Sequence, residues 1–593
     1  MDDISSPETD LTAPQAVLGL AHHRAGRMAE AVACYDRCLA TDPDHPRLLG
    51  LLGQAQMARG VVEDGLANLR RAAQLMPWHD ETCLAYANAA AHAGDYDAAA
   101  AQYRVILARV PAHLAAALNL AAVLRVSNQW SELRNITAAA LTFYPGHPHL
   151  LLALAVCDLQ DREMDRALSG LDLVLEIAPD LAEAYFFRGT ALNIVGRNAE
   201  AVDAQLCAIA LAPHHAPAHL NLGNALVDLD QPENAAAYCQ RAIELDPKLV
   251  EAYVSLGHIY TRLRRVDAAM TACRAALALV PGHVQAHWNL GIAALLAGDW
   301  ALGWRQYEWR KRPELYAEHF RIPQGEEWRG GDLNGRTVTI CAEQGLGDAI
   351  HLARYFPLLA ARGAKLILSC ARPLMRLFAG DPNLELVLDR ALPLARADLW
   401  VDQMSLPGLF GTRIDHVVGA AGYIEADSEL VPVWRDRLPQ GYKVGLVWGG
   451  NPLHSNDRRR SMDVKNVEEL LDTVLHVAGV SFVSLQVGRD FPSAWQGRVF
   501  DAAPWLDDFA QTAACISCLD LVIAVDTSTA HLAGALGRDV WVMLPFAPDW
   551  RWLQGRSDTP WYNSMRLFRQ AREGDWRDVT KDISRELQAR LRA

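Results

Sequence analysis

A proline recurs every 34 residues through the first half of this 593-residue chain, and this spacing restricts the fold more than any other feature. A fixed period of this length indicates supersecondary units that stack on one another to bury a continuous core. A small residue, usually glycine, recurs at a second fixed offset before the turn in most units, and alanines such as Ala31 and Ala72 recur where paired helices must approach closely. The pattern therefore predicts an α-helical solenoid over about residues 12–316. The prolines are Pro43, Pro77, Pro111, Pro145, Pro179, Pro213, Pro247 and Pro281, and the glycines are Gly19, Gly53, Gly189, Gly223, Gly257 and Gly291.

The period and the small positions resemble the tetratricopeptide (TPR) repeat. Eight units are complete, and a ninth begins at Val284 and continues through the aromatic-rich stretch Trp300–Trp309, which we expect to seal the last interface. The resemblance implies stacked helix pairs with a long groove that binds protein or peptide.

Three asparagines, Asn119, Asn221 and Asn289, occupy the same position of the first helix in their repeats. An amide side chain both donates to and accepts from an extended peptide backbone, so aligned asparagines would hold a chain without reading its sequence. This arrangement resembles the asparagine ladder in the TPR region of O-GlcNAc transferases, which implies acceptor binding. The alternative is that these amides cap or brace neighbouring helices.

The second half alternates short apolar strands with helices, which predicts parallel sheets with ligands beyond the carboxyl ends of the strands. We expect a junction over residues 317–335, a first α/β domain over 336–438 and a second over 439–593, with a cleft between them. The fold class is therefore α + α/β. The predicted strands are Thr337–Ala342, Lys365–Cys370, Leu384–Leu388, Asp398–Asp402, Lys443–Trp448, Ser481–Gln486, Leu521–Val525 and Val540–Leu544.

The first candidate site is the stretch Cys341–His351, where a strand breaks at Gly345 and Gly347 and a helix begins at Asp348. A strand, a glycine turn and a helix N-terminus direct backbone N–H groups and a positive dipole end at one point, which suits an anionic ligand. Asp348 either caps this helix or takes part in the chemistry.

The second candidate site is the stretch Asp526–His531, in which a buried strand delivers an acid and three hydroxyl residues to a helix N-terminus. Hydroxyls together with free N–H groups form a phosphate cradle, and His531 would donate to a phosphate oxygen. The alternative is an ordinary capped helix with a satisfied histidine. The hydroxyl residues are Thr527, Ser528 and Thr529.

A third stretch, Trp448–Ser461, follows a strand and opens with the glycine turn Gly449-Gly-Asn451. Arg458 and Arg460 would neutralise a phosphate or carboxylate there, or they belong to a solvated basic loop. The tryptophans of Pro545–Trp552 would stack on a sugar or base, or would pack between domains.

The two motifs Gln344–His351 and Val525–Leu532 together resemble the paired signature of the family 9 (heptosyltransferase-like) glycosyltransferases, which have the GT-B fold of two Rossmann-like domains. The resemblance covers about residues 336–580. It implies that Asp348 is the catalytic base and that the donor nucleotide-sugar lies beside Asp526, Thr527 and His531, and also beside Gly345 and Gly347. The stretches Trp448–Ser461 and Pro545–Trp552 depart from lipopolysaccharide heptosyltransferases and are similar to a TPR-linked bacterial branch.

The combined resemblance implies an inverting protein O-glycosyltransferase that modifies Ser or Thr. The acceptor is expected to be flagellin, and the donor a CMP-activated nonulosonic acid such as CMP-pseudaminic acid. Two alternatives remain, an O-GlcNAc-transferase-like enzyme that uses UDP-GlcNAc and a non-catalytic TPR adaptor with a degenerate GT-B half. Replacing Asp348 by Ala is expected to abolish transfer with the thermal midpoint nearly unchanged. No Asp-x-Asp motif follows a strand, so we expect no divalent metal, and no cofactor beyond the co-substrate.

Composition restricts the class of protein further. The net charge of −14 argues against a general nucleic-acid binder. Eleven scattered cysteines, including the pair Cys34 and Cys38 and the lone motif Cys515-x-x-Cys518, are typical of free structural thiols in a reducing compartment. The acidic N-terminus, Met1–Ser6, lacks the apolar core of a secretion signal, and no apolar run reaches membrane-spanning length. We therefore expect a cytoplasmic protein that does not insert into a membrane.

Overall fold

The computed structural model describes residues 11, 13–315, 325–393, 397–454, 456–474 and 479–592. The segment Met1–Ser6 and residues 317–324 of the predicted junction lie outside the described residues. The chain divides into two compact units, Met1–Gln231 and Pro232–Ala593. This division differs from the predicted boundary near residue 316.

The described part of the first unit is entirely helical, and its helices contact one another in sequential order. The periodic prolines lie in the short turns between repeats, as Pro77 does between α4 and α5, where a residue without an N–H cannot continue the preceding helix. The helices are α1 (Pro14–Arg24), α2 (Met28–Leu39), α3 (Pro46–Ala58), α4 (Val62–Leu75), α5 (Asp80–His92), α6 (Tyr96–Arg109), α7 (Leu114–Val126), α8 (Trp130–Phe143), α9 (Pro148–Gln160), α10 (Met164–Ile177), α11 (Ala182–Ile194), α12 (Asn198–Leu211) and α13 (Ala216–Asp228).

The periodic glycines lie where the two helices of a repeat touch. At Gly53, an added Cβ would lie 2.7 Å from the carbonyl oxygen of Gly65 and 2.7 Å from Cγ of Leu69. Backbone meets backbone at this crossing, so no larger residue fits without a shift of the helices.

A histidine N-cap recurs at the start of the first helix of several repeats, a feature that the proline period did not reveal. The ring Nδ1 of His215 accepts the backbone N–H of Ala218 at 3.1 Å, and four other repeats share this bond. An imidazole that accepts at Nδ1 must be without a proton there, and a positive charge at a helix N-terminus is unfavourable. The other four caps are His45, His79, His113 and His283.

We expect the stability of the protein to fall as the pH is lowered from about 7 to 5. Burial lowers the pKa of His215, and burial together with His149 lowers the pKa of His147. A histidine whose folded pKa lies below its unfolded value of about 6.5 takes up protons preferentially in the unfolded chain, so stability is lost as the pH falls through that value. Denaturant titrations at the two pH values measure the loss. Asparagine caps a helix without titrating, so His215→Asn should reduce the pH dependence; an unchanged dependence would contradict the explanation.

The second unit begins with the last solenoid helices, which pack directly on the α/β part. Trp300 stacks on Trp561 with ring centroids 4.8 Å apart, and Trp304 meets Trp550 edge to face at 5.1 Å. The aromatic stretch therefore joins the solenoid end to the α/β core, which explains why the compact unit begins well before residue 316. These helices are α14 (Pro232–Leu245), α15 (Val250–Arg262), α16 (Val266–Leu279), α17 (Val284–Ala297) and α18 (Trp300–Tyr307), followed by a 3₁₀ turn, Glu308–Lys311.

The first lobe of the α/β part contains a five-stranded parallel sheet with the order β4-β3-β2-β5-β1. The predicted strands are present to within a residue at each end, and the two-residue edge strand β1 is too short for a sequence pattern to reveal. The order in which successive strands are added reverses between β2 and β5, where Cys341 is paired with Asp402. The elements are β1 (Glu326–Glu327), β2 (Thr337–Cys341), α19 (Leu346–Leu352), α20 (Phe356–Ala361), β3 (Lys365–Cys370), α21 (Met375–Phe378), β4 (Leu384–Asp389), β5 (Leu399–Asp402) and α22 (Leu406–Leu409).

The second lobe contains a six-stranded parallel sheet with the order β8-β7-β6-β9-β10-β11. In chain order this is 3-2-1-4-5-6, the arrangement of doubly wound nucleotide-binding sheets, which bind ligands where the order reverses. Here the reversal lies between β6 and β9. The elements are α23 (Leu430–Arg437), β6 (Tyr442–Val447), α24 (Asp457–Arg460), α25 (Val464–Val474), β7 (Val480–Ser484), β8 (Val499–Asp501), α26 (Phe509–Ser517), β9 (Leu521–Val525), α27 (Ser528–Ala535), β10 (Val540–Leu544), β11 (Met565–Arg569) and α28 (Arg577–Arg592).

The sequence pattern missed β8, β11 and α28, and it ended the first α/β domain at residue 438. Helix α23 instead lies against α26 of the second lobe, where Trp434 Nε1 donates to Gln511 Oε1 at 2.8 Å. The centre of the second sheet was easier to predict, because every residue of β9 and β10 is buried, as parallel strands covered on both faces require.

All eleven cysteines are free thiols, and most are buried, as the sequence predicts. No helix in the described ranges is long and apolar enough to cross a membrane.

Candidate active site

The first motif forms the turn between β2 and α19, at the strand-order reversal of the first sheet. The Oδ2 atom of Asp348 accepts the backbone N–H of Gly345 at 2.9 Å, so this carboxylate caps the helix. The interpretation of Asp348 as a helix cap is therefore confirmed for Oδ2. A chemical role for Asp348 depends on its other oxygen, Oδ1.

The second oxygen of Asp348 is ion-paired with Arg551, which lies in a 3₁₀ turn, Trp550–Trp552, of the second lobe. The guanidinium also contacts Asp549 at 2.7 Å, and the Arg551 side chain is only 7% exposed. Burial by itself lowers the pKa of Arg551, but the charges of Asp549 and Asp348 outweigh it and raise that pKa above its ordinary value. One buried cation therefore pairs with a carboxylate of the first lobe, Asp348, and with a carboxylate of its own turn, Asp549.

The second motif lies at the reversal of the second sheet. β9 ends at Val525, Asp526 follows, and Thr527 is the N-cap residue of α27. No side chain caps this helix, and the buried Thr527 Oγ1 has no hydrogen-bond partner among the described residues. The N–H groups of Ser528 and Thr529 open the helix, where no intrahelical acceptor exists. This end of the helix is therefore suited to an anion, as the sequence predicts.

The two motif helices touch directly at Gly347. A Cβ added there would lie 3.1 Å from Cδ2 of His531 and 3.3 Å from Cα of Ser528. The glycine therefore allows the first turn of α19 to meet the first turn of α27. Two stretches almost 180 residues apart in the sequence form one site.

His531 lies under this contact and is buried. Its Nδ1 is 3.0 Å from the hydroxyl of Tyr562, its Nε2 is 4.0 Å from Asp526 Oδ1, and its ring stacks on Trp552 at 5.2 Å. Burial and the charge of Arg551 hold the pKa of His531 well below its ordinary value, so the ring is neutral. The sequence suggested that His531 would donate directly to a phosphate. In the structure both ring nitrogens face protein groups, so this geometry does not favour that role.

Asp526, just before the start of α27, is the other titratable residue of the second motif. Burial and the charge of Asp549 raise its pKa to about 6, and the charges of Arg460 and Arg551 oppose that rise. Asp526 is therefore more readily protonated than an exposed aspartate, although the charges of Arg460 and Arg551 favour its ionised form.

The predicted loop after β6 lies at the same reversal, but its residues separate into two groups. The N–H of Gly449 donates to Gln486 Oε1 at 2.8 Å, whereas Asn451 forms an exposed turn in which its Oδ1 accepts the N–H of Leu453 at 3.0 Å. Arg460 packs against Gly450 and faces the site, whereas Arg458 is exposed to solvent. The basic-loop interpretation therefore describes Arg458 better than Arg460.

Several residues of the site were not assigned a role from the sequence. Asp457 is buried and ion-paired with Arg489, whose guanidinium also donates to the Gly450 carbonyl at 3.3 Å. Arg489 follows the end of β7, so inspection of every strand end around the reversal would have found it. Tyr562 had no such signal, because it lies before β11, which the pattern missed.

Tyr562 joins the two motif helices through their histidines. Its hydroxyl is 2.9 Å from Nδ1 of His351 on α19 and 3.0 Å from Nδ1 of His531 on α27. This hydroxyl donates one hydrogen bond and can accept two, and it also lies 3.4 Å from the Tyr423 hydroxyl, so it links both histidines to a shared polar cluster.

The solenoid end also reaches the first motif. Gln344 Nε2 donates to the Tyr307 hydroxyl at 3.2 Å, and Arg310 donates to Glu343 at 3.2 Å. Burial and the charge of Asp402 raise the pKa of Glu343 to about 7 despite Arg310. The end of the solenoid thus holds the turn between β2 and α19, the helix that carries Asp348.

The three asparagines of the solenoid form bonds within it. Asn119 Nδ2 donates to the Asn88 side chain at 2.8 Å, Asn221 Nδ2 to Thr190 Oγ1 at 2.9 Å, and Asn289 Nδ2 to the carbonyl of Val254 at 3.2 Å. Each bond reaches the preceding repeat, as the bracing interpretation predicts. Contact with an acceptor stays a prediction.

Among the residues that the structure describes, no group of three or more His, Cys, Asp or Glu side chains is arranged to hold a metal ion.

Comparison with known proteins identifies the repeats. Tetratricopeptide repeat models match residues 13–55, 216–249 and 254–303. Protein FlbA of Caulobacter vibrioides is 33% identical over 308 residues, which are 46% of this chain and 50% of FlbA. The tetratricopeptide repeat and J domain-containing co-chaperone DNJ1 of Fusarium oxysporum is 29% identical over 168 residues, which are 27% of this chain and 32% of DNJ1. The chain thus spans half or less of these curated relatives.

Solved structures of three proteins match parts of the chain. MamA is 23% identical over 26% of this chain and 91% of its own, with a TM-score of 0.25. YrrB, a TPR protein with an unusual peptide-binding site, is 24% identical over 30% of this chain and 94% of its own, with a TM-score of 0.27. The Cut9–Hcn1 assembly of the APC/C is 18% identical over 47% of this chain and 56% of that chain, with a TM-score of 0.35. The family models show that the helical half of this protein contains tetratricopeptide repeats.

Proposed function

We propose that this protein is an inverting glycosyltransferase of GT-B fold, independent of divalent metal, that transfers a sugar from a nucleotide-activated donor to Ser or Thr of a protein. The observation that carries the proposal is the meeting of two strand-order reversals. Each reversal contributes a strand–turn–helix N-terminus, and the two helices touch at Gly347 and Ser528. Such points are where doubly wound sheets bind their ligands.

The charged groups of the cleft suit the chemistry of glycosyl transfer. An acceptor hydroxyl oxygen attacks the anomeric carbon, the bond from that carbon to the phosphate oxygen breaks, and Asp348 takes the hydroxyl proton. The nucleotide leaves with the bonding electron pair toward the N–H groups at the start of α27. Arg460 and Arg551 lie close enough to influence Asp526 electrostatically and would stabilise the charge on the leaving phosphate.

The acceptor and donor follow from the repeats and from the resemblance to flagellin glycosyltransferases. Tetratricopeptide solenoids bind protein or peptide, which supports a protein acceptor held by the helical half. The proposed acceptor is flagellin, and the proposed donor is a CMP-activated nonulosonic acid. The bonds from Tyr307 and Arg310 to the first motif support delivery of the acceptor to Asp348 from the solenoid end.

A thermal-shift screen of the full chain against CMP-, UDP-, GDP- and ADP-sugars tests the donor. A ligand at about 100 times its Kd adds about 2.7 kcal/mol to the free energy of unfolding. We expect stabilisation by CMP or a CMP-nonulosonate and none by UDP-GlcNAc. The opposite result would favour the O-GlcNAc-transferase-like enzyme, and no shift with any nucleotide would favour the adaptor.

A further inference from the structure

Arg551 occupies an unusual position for a residue near a catalytic carboxylate. Its side chain is 7% exposed, pairs with Asp348 of the first motif and Asp549 of its own turn, and lies over the Trp550 ring at 4.1 Å from the centroid. Its buried Nε–H has no hydrogen-bond partner among the described residues. A buried guanidinium therefore retains a donor for a further anion.

In this arrangement each oxygen of Asp348 already accepts a hydrogen bond from the protein, and the side chain remains 24% exposed. Oδ2 accepts the Gly345 N–H, and Oδ1 is held by Arg551. An acceptor hydroxyl that approaches Oδ1 therefore competes with Arg551 for that oxygen.

A phosphate bound at the start of α27 would be a second anionic partner for Arg551. The uncapped start of α27 and the unpartnered Thr527 hydroxyl belong to the same cleft, and the charge of Arg551 influences both Asp526 and His531 of that motif. Guanidinium binds phosphate through paired hydrogen bonds that match or exceed those to a carboxylate.

We propose that Arg551 exchanges partners when the donor binds, leaving Asp348 for the donor phosphate and thereby freeing the carboxylate to act as the base. The inference rests on the proposed function and adds an order of events, in which the donor binds before Oδ1 of Asp348 is released to the acceptor hydroxyl. Arg551 is then both a ligand of the phosphate and the residue that keeps Asp348 inactive without donor.

A thermodynamic cycle of binding constants tests the exchange without a transfer assay. Inorganic pyrophosphate and CMP are titrated by calorimetry into the full-length wild-type protein, Asp348→Asn, Arg551→Ala and the double variant. Because Asp348 competes for Arg551, Asp348→Asn should tighten binding by about three- to tenfold, whereas Arg551→Ala should weaken it about tenfold or more. In the Arg551→Ala background, the Asp348→Asn change should have almost no effect.

Two further variants keep the test interpretable. Arg551→Lys retains the charge and should bind pyrophosphate with intermediate affinity, which controls for a folding defect in the alanine variant. Arg556→Ala removes a partly exposed arginine of the same lobe, paired with Asp558, and should bind as the wild type does.

The outcomes separate the exchange from the proposed function. An equal tightening by Asp348→Asn with and without Arg551 would show simple removal of a negative charge and would overturn the exchange alone. If Arg551→Ala bound pyrophosphate and CMP with wild-type affinity, the exchange alone would likewise be overturned. Failure of the wild-type protein to bind pyrophosphate or any nucleotide would overturn both.

Discussion

Asp348→Asn should reduce the rate of glycosyl transfer by about 10²- to 10⁴-fold, the usual contribution of a general base. Asparagine retains an oxygen for the Gly345 N–H but cannot take a proton from the acceptor. The rate is measured by intact-mass analysis of the acceptor over time at saturating donor.

The matched control for this variant is Asp549→Asn, because Asp549 is the other carboxylate on Arg551. Both variants weaken the ion-pair cluster, but only Asp348 lies on the first motif. If Asp549→Asn slowed transfer as much as Asp348→Asn, the loss would reflect disturbance of Arg551, and the base assignment would be wrong.

The structure also changes the expected stability of Asp348→Ala. From the sequence alone, this variant should unfold at nearly the wild-type temperature. In the structure it loses a helix cap, typically worth about 1 kcal/mol, and leaves a buried arginine with one carboxylate fewer. We therefore expect a measurable fall in the thermal midpoint, which is why asparagine is the better probe of activity.

Arg354→Ala should destabilise the second unit by roughly 3–5 kcal/mol, because the side chain is almost completely buried. Its guanidinium donates to the carbonyls of His351 and Trp561 at 2.7 Å each and to that of Val418 at 3.2 Å. It also lies over the ring of Tyr562 at 4.6 Å from the centroid. Truncation would leave a cavity and three carbonyls without these donors.

Urea unfolding of the full chain measures this loss, and Arg372→Ala provides the control. Arg372 is exposed at the start of a 3₁₀ turn in the same lobe, so its removal should change the free energy of unfolding by less than about 0.5 kcal/mol. Equal effects of the two substitutions would contradict the view that Arg354 fastens the two lobes together.

Local signals in the sequence account for most of the fold. Prolines at a fixed spacing need no knowledge of distant contacts, and fully apolar strands such as Leu521–Val525 identify the centre of a parallel sheet. Edge strands are harder to predict, because arginines interrupt the buried residues of β11 at Arg566 and end it at Arg569.

Only some residues of the candidate site could be predicted from the sequence, because local patterns reveal some of them and contacts between the lobes determine the others. The glycine turn around Asp348 and the hydroxyl-rich start of α27 are local patterns, so both appear in the sequence. Arg551 and Tyr562 become important only because the two lobes meet, and no local pattern shows which side chains face each other across a cleft. The shared Tyr562 hydroxyl is likewise visible only in three dimensions.

The most direct test of the account is the mass of the acceptor protein after incubation with the full-length enzyme and each candidate donor. Purified flagellin and CMP-pseudaminic acid should yield acceptor heavier by one or more nonulosonic acid residues, located on Ser or Thr by fragmentation, with Asp348→Asn giving almost none. An acceptor mass that stays unchanged with every CMP-, UDP-, GDP- and ADP-sugar, while the protein still binds one of those nucleotides, would contradict glycosyl transfer to this protein acceptor.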